Sequence, residues 1–130
     1  MKATTIFLLA AFTAAAPAAA HHSFAPFDRS KEVTLTGAVK EFQWTNPHAW
    51  IQIMVKDDQG RETEWDIECA PANMMARTGW NKSTIKPGDA VVATVNPMRD
   101  GRSSGALVTI TLPDGTVLGP GDAPKPLPIR

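Results

Sequence analysis

The chain has 130 residues, a single cysteine, and 13 basic against 13 acidic side chains. A charge balance of this kind gives no general attraction to a phosphate backbone or to anionic lipid, so no nucleic-acid partner is expected. One cysteine allows no intramolecular disulfide, and the fold must be held by its core.

The first element along the chain reads as an export signal. Lys2 supplies a short positive start, Ile6 to Ala16 an apolar run too short to span a bilayer, and Ala18-Ala19-Ala20 a small-residue cleavage site. Cutting after Ala16 would put Pro17 just past the scissile bond, and cutting after Ala19 would put it where a small side chain is needed. Cleavage after Ala20 is therefore favoured, with residues 1–20 removed and a mature chain, His21 to Arg130, that is periplasmic or secreted. Loss of Lys2 leaves 12 basic and 13 acidic side chains. No later apolar run is long enough to anchor the chain, so no membrane insertion is expected, and the mature length suits one domain over residues 21–118.

Strand signals follow in order. Val33, Leu35, Gly37 and Val39 alternate with polar neighbours, and the phase then slips so that Phe42 and Trp44 share a face, which predicts a bulge or bend near Gly37 to Glu41. From His48 to Lys56 the alternation sets Ala49, Ile51, Ile53 and Val55 on one face and His48, Trp50, Gln52 and Met54 on the other. Asp57-Asp58-Gln59-Gly60 is a turn. Glu62 to Cys69 follows as the third strand, with Thr63, Trp65, Ile67 and Cys69 inward and Glu62, Glu64, Asp66 and Glu68 outward. Pro71 to Gly79 holds only a short helix, in which Met74 and Met75 read as packing residues. Lys86-Pro87-Gly88-Asp89 turns into a strand from Ala90 to Val95, Gly105 to Leu112 is the fifth strand, and Pro113-Asp114-Gly115 turns back toward Val117 and Leu118. From Gly119 to Arg130 the proline-rich tail is expected to be extended.

Three meandering strands, a short helix and two more strands is the order of a small five-stranded barrel of the OB type, an all-β fold. A small open β-sandwich has the same strand count, because shear and closure are not written in one chain. Pairing the second strand with the third so that the apolar faces coincide sets Val55 against Thr63, Ile53 against Trp65 and Ile51 against Ile67. On the opposite face this puts Trp50 beside Glu68, Gln52 beside Asp66 and Met54 beside Glu64.

His21-His22-Ser23-Phe24, Phe27-Asp28 with Val33-Thr34-Leu35-Thr36-Gly37, Trp44-Thr45-Asn46-Pro47-His48-Ala49-Trp50-Ile51, Lys86-Pro87-Gly88-Asp89 and Thr111-Leu112-Pro113-Asp114-Gly115 together resemble a family of small secreted bacterial proteins of unknown function. The resemblance covers about His21 to Leu118. It implies no activity, so function must be argued from the residues.

A mature terminus at His21 would bring two nitrogens together, its α-amine and its imidazole. A third from His48 would complete a T-shaped arrangement resembling the histidine brace of copper-binding secreted proteins. His22 is a further candidate, and Glu68 is expected either to ligate the metal or to hydrogen-bond the His48 imidazole. Copper comes first in the affinity order, with zinc the other candidate. Against this, an imidazole after Asn-Pro at a strand entrance commonly just hydrogen-bonds a turn carbonyl. The second functional reading is a metal-independent OB-type module that recognises a small molecule, a peptide or an envelope protein. Its stacking surface would come from Trp50 and Trp44, while Trp65 belongs to the apolar face. The acidic alternation of the third strand reads most simply as a solvated, edge-protecting face, and Cys69 as a small buried hydrophobe. No Ser/His/Asp or Cys/His grouping and no phosphate-cradling glycine loop can be assembled, so a binding protein is expected and an enzyme is not.

Overall fold

The computed structural model describes residues 26–119. The expected leader, His21, His22 and the tail beyond Gly119 lie outside them. Six strands form one sheet: β1 (Val33–Gln43), β2 (Trp50–Lys56), β3 (Glu62–Glu68), β4 (Ala90–Pro97), β5 (Ser104–Thr111) and β6 (Val117–Leu118). A single short helix, α1 (Ala72–Ala76), connects β3 to β4. The order is β3-β2-β1-β4-β5-β6, and β3 also pairs with β5, in parallel, through Asp66 with Ser104, Ile67 with Gly105 and Glu68 with Ala106. That pairing closes five strands into a barrel of the OB type with its helix between the third and fourth strands, and the open sandwich is ruled out.

Two bulges shape the barrel. On β1 the register with β2 slips between Val39 and Glu41, so Lys40 is the extra residue. Inward positions therefore pass from Leu35 and Val39 to Phe42, as the phase slip in the sequence requires. A second slip, which puts Thr94 opposite Thr109 but Val95 opposite Leu107, leaves Val108 extra on β5 and lets both Leu107 and Ile110 face the interior. Gly105 stands where β5 touches β3 and β4 together. A Cβ there would lie 2.8 Å from the Asn96 carbonyl oxygen and from a Val95 methyl, so the closing strand needs a glycine at its entry.

The pairing of β2 with β3 is the predicted one at every position, from Trp50 with Glu68 to Lys56 with Glu62. The turn between them is built by Asp57, whose carboxylate accepts from the backbone N–H of Gln59 at 2.9 Å and of Arg61 at 3.0 Å, with Gly60 at φ 77°. Ile51, Ile53, Ile67, Val95 and Ile110 form the centre of the core. Trp80, in the connection after α1, is only 2 % exposed, and its ring lies 6.1 Å from that of Phe42. Trp65 packs against the same core but remains half-buried.

The helix departs from expectation in one residue. Ala72 and Met75, three apart, take the inward face of a helix too short to have a second one, so Met75 is fully buried while Met74 is 55 % exposed. Met74 is thus not a packing residue. Among the described residues no helix is long and apolar enough to cross a membrane.

Candidate functional site

His48 lies in the loop from β1 to β2, which several contacts hold in shape. The Thr45 hydroxyl donates to the His48 carbonyl at 2.7 Å, the Thr45 carbonyl accepts from Ala72 N–H at 3.2 Å, and the Asn46 side-chain oxygen accepts from Asn73 N–H at 3.3 Å. The loop is therefore pinned to the start of α1. Ladder-like bonds already form ahead of the start of β2 and past the end of β3, with Ala49 N–H donating to the Ala70 carbonyl and Cys69 N–H donating to the Ala49 carbonyl. They bring the imidazole over the end of β3.

There, Nδ1 of His48 lies 3.0 Å from the Cys69 carbonyl oxygen and 3.3 Å from Oε1 of Glu68. A carbonyl and a carboxylate can only accept, so Nδ1 is the nitrogen that carries a hydrogen toward them. In a neutral ring this is the tautomer that presents Nε2 to a metal, with the hydrogen-bond partner on the far nitrogen setting the ring's direction. The side chains of His48 and Glu68 are 26 % and 24 % exposed, partly desolvated and still reachable from outside.

Every outward acidic residue of β3 has a partner on a neighbouring strand or loop. Glu62 meets Lys56 at 3.3 Å, Glu64 meets Lys40 at 2.6 Å, Asp66 accepts from the Gln52 amide at 2.9 Å, and Glu68 faces His48. The row is a cross-strand ladder of complementary pairs. It is not a set of carboxylates converging on one cation. Among the described residues no three His, Cys, Asp or Glu side chains group to hold a metal ion. His21 and His22, the other histidines of the chain, lie outside the described residues.

The two tryptophans proposed as a stacking pair are not brought together. Trp50 stands half-buried on the outer face, paired with Glu68 on one side and Gln43 on the other. Trp44 packs against the core, edge-on to Phe42 with centroids 5.8 Å apart. The β1 bulge explains the separation, since it moves Phe42 and Trp44 to the inward side while Gln43 stays outward beside Trp50.

Cys69, next to Glu68, is buried. Burial first, and the Glu68 charge second, push its thiol far above the ordinary range. The folded protein should therefore resist alkylation by iodoacetamide at neutral pH, while the urea-unfolded chain reacts fully. Modification of the native protein at the unfolded rate, read by mass spectrometry, would show that the thiol is reachable.

The start of the described chain was not legible as part of this region. Phe27 is buried and bridges to Met98, Asp28 N–H donates to the Pro97 carbonyl at 2.8 Å, and Arg99 N–H donates to the Pro26 carbonyl at 2.9 Å. The Asp28 carboxylate accepts from the Ser30 hydroxyl at 2.6 Å and lies 3.3 Å from Lys31; the Ser30 contact is the main cause holding it below the usual carboxylate range. The only signal in the sequence was an apolar Phe followed by Asp-Arg-Ser, a common turn pattern.

No curated protein and no solved structure matches the chain. A family model does match, over residues 9–107, well over half of the sequence. The chain belongs to that family, a family of unknown function designated DUF6152.

Proposed function

We propose that this protein, after export and cleavage behind Ala20, captures a transition metal, copper first and zinc second. His21 would bind through its α-amine and imidazole, His48 through Nε2, with His22 as a further donor and Glu68 behind the His48 ring. The observation that carries this reading is the orientation of His48, whose Nδ1 is engaged by the Cys69 carbonyl and the Glu68 carboxylate. An imidazole held this way needs little reorganisation to bind a metal.

Chain reach supports it as well. Phe27 pairs with Met98, Met98 N–H bonds to Ser104, and Ser104 pairs with Asp66, two residues from Glu68. Three such steps of about 4.8 Å and two residues of strand place Glu68 about 14 Å across and about 7 Å along the barrel wall from Phe27. The chord of a curved wall is shorter than this path. The residues from His21 to Pro26 span up to about 17 Å when extended, enough for the amino terminus to meet His48.

A second reading has one observation in its favour. Trp44, Trp65 and Trp80 pack against or within the core, and Trp50 is the tryptophan left on the outer face. A metal-independent module would use it to stack a small molecule or a side chain of a peptide or envelope protein.

Changing His48 to Ala separates the two. On the metal reading, the variant binds Cu(II) at least about tenfold more weakly and its visible spectrum shifts, because one nitrogen donor is lost. The metal-free protein should lose only about 1 kcal/mol, the usual net value of a hydrogen bond such as that to Cys69. Since the imidazole does bond a backbone carbonyl, a small stability loss fits both readings. Unaltered Cu(II) affinity and spectrum would end the case for His48 as a ligand.

A further inference from the structure

The outer face around Trp50 stands apart from any metal. Resting on the second of the two readings above, we infer that this face docks an extended basic segment of a partner polypeptide, with an arginine guanidinium stacked on Trp50 and a second cation two residues along.

The strand register builds the face in two rows. Gln43 of β1, Trp50 of β2 and Glu68 of β3 make one, and Glu41, Gln52 and Asp66 make the next. Neighbours in a row stand about 4.8 Å apart, and the rows are about 7 Å apart, two residues along each strand. The β1 bulge creates this pattern, because Lys40 takes the extra position and Glu41 and Gln43 then fall beside Gln52 and Trp50. The two rows hold one indole, two amides and three carboxylates, with no lysine or arginine among them. In the row beyond, where Met54 pairs with Glu64, Lys40 engages the Glu64 carboxylate at 2.6 Å.

The chemistry of the rows selects a cation. Glu41 is exposed, and its carboxylate makes no hydrogen bond or ion pair among the described residues. Lys40, at the margin, is held above the ordinary amine range, first by its hydrogen bond to Glu64 and further by the charges of Glu64, Glu41 and Asp66. A positive group is therefore favoured on this side of the barrel, and a phosphate chain is repelled. His48, 3.3 Å from Glu68, adds positive charge to the face only when protonated. Among the described residues no other ring stacks on Trp50, and indole is the best aromatic surface for a cation. A guanidinium suits it better than an ammonium, being flat, weakly hydrated and able to stack while its edge bonds a carboxylate such as Glu68. An extended chain suits the face better than a small cation, because its alternate side chains lie on one side about 7 Å apart, the spacing of the rows.

The test follows the Trp50 indole N–H by nuclear magnetic resonance in the metal-free exported protein, the signal being assigned by its loss in Trp50→Phe. Short blocked glycine-serine peptides carry arginine at i and i+2, at i and i+1, or at i alone, or glutamine at i and i+2. The i, i+2 arginine peptide should shift the Trp50 signal saturably and bind at least about tenfold more tightly than the glutamine peptide. It should also bind at least about threefold more tightly than the other two arginine peptides, which offer one cation to the face. Raising the salt from about 0.05 to about 0.5 M should weaken it at least about threefold. Glu41→Gln and Glu68→Gln should each weaken it by a similar factor, whereas Glu62→Gln, at the far end of β3 beside Lys56, should not. Equal affinity for the single-arginine peptide would make the occupant a small cation and overturn the polypeptide. A glutamine peptide or a neutral disaccharide that moves Trp50 as readily as arginine would overturn this inference alone and leave Trp50 a stacking surface. If no probe moves Trp50, the second reading fails with it.

Discussion

Replacing Trp80 by alanine is expected to cost about 3–5 kcal/mol of folding stability, the range for deleting a large aromatic side chain from a closed core. The indole is almost fully buried, stands against Phe42, and its backbone N–H donates to the Met75 carbonyl, so the residue ties the connection after α1 to the barrel end. Its Nε1 is buried and has no hydrogen-bond partner among the described residues. An orphaned donor costs free energy in the folded state, which predicts a graded series. Trp80→Phe loses ring area but also removes the orphan, and should cost less than about half of the alanine change. Trp50→Ala, on the outer face, should cost about 1 kcal/mol. Urea melts of the three variants decide the matter. Equal losses for Trp80→Ala and Trp50→Ala would mean that the outer face is as deeply packed as the core, and that a binding surface at Trp50 is untenable.

Trp80 also marks where the sequence stops being informative. Period-two alternation is a local signal, and it placed the β2 and β3 side chains so firmly that the cross-strand register follows from keeping Ile51, Ile53 and Ile67 on one face. The β1 bulge was legible for the same reason, since a change of phase between Val39 and Phe42 calls for a bulge or bend. The β5 bulge was harder to see, because Leu107, Val108 and Ile110 are all apolar and a phase slip among apolar residues leaves no trace. Trp80 sits in a connection with no periodicity at all, and its burial is decided by which strands curve over it. Closure through Ser104, Gly105 and Ala106 is likewise a long-range event, set by shear and by a close approach that only the assembled backbone reveals.

The candidate site divides in the same way. That Glu68 would stand near His48 followed from the strand register. That its carboxylate and the Cys69 carbonyl would share Nδ1 did not, because a backbone acceptor has no signature in the side-chain pattern. The acidic residues of β3 looked alike in sequence, and cross-strand partners distinguish them. Lys56, Lys40 and Gln52 occupy three, which leaves Glu68 as the one whose partner is a potential metal ligand.

Blocking the α-amine of His21 is expected to weaken Cu(II) binding at least about tenfold, equivalent to about 1.4 kcal/mol or more. The amine and imidazole of one residue share a Cα. Once either has bound, the other is presented at an effective concentration that two independent donors cannot match. Acetylation removes the amine as a donor and leaves the imidazoles in place. A Gly-Ser extension long enough to carry the amine well beyond His22 should have the same effect. A single added residue is a poor substitute, since it moves His22 to the third position, where the amine, the amide nitrogens and the imidazole can surround Cu(II) in the planar geometry this ion favours. Mass spectrometry of the exported protein first establishes whether the chain begins at His21, and competition titration then compares free and blocked termini. A chain that begins elsewhere, or a blocked terminus with native affinity, would remove the chelate and leave His48 as an isolated imidazole. In that event the Trp50 face becomes the better place to look for a ligand.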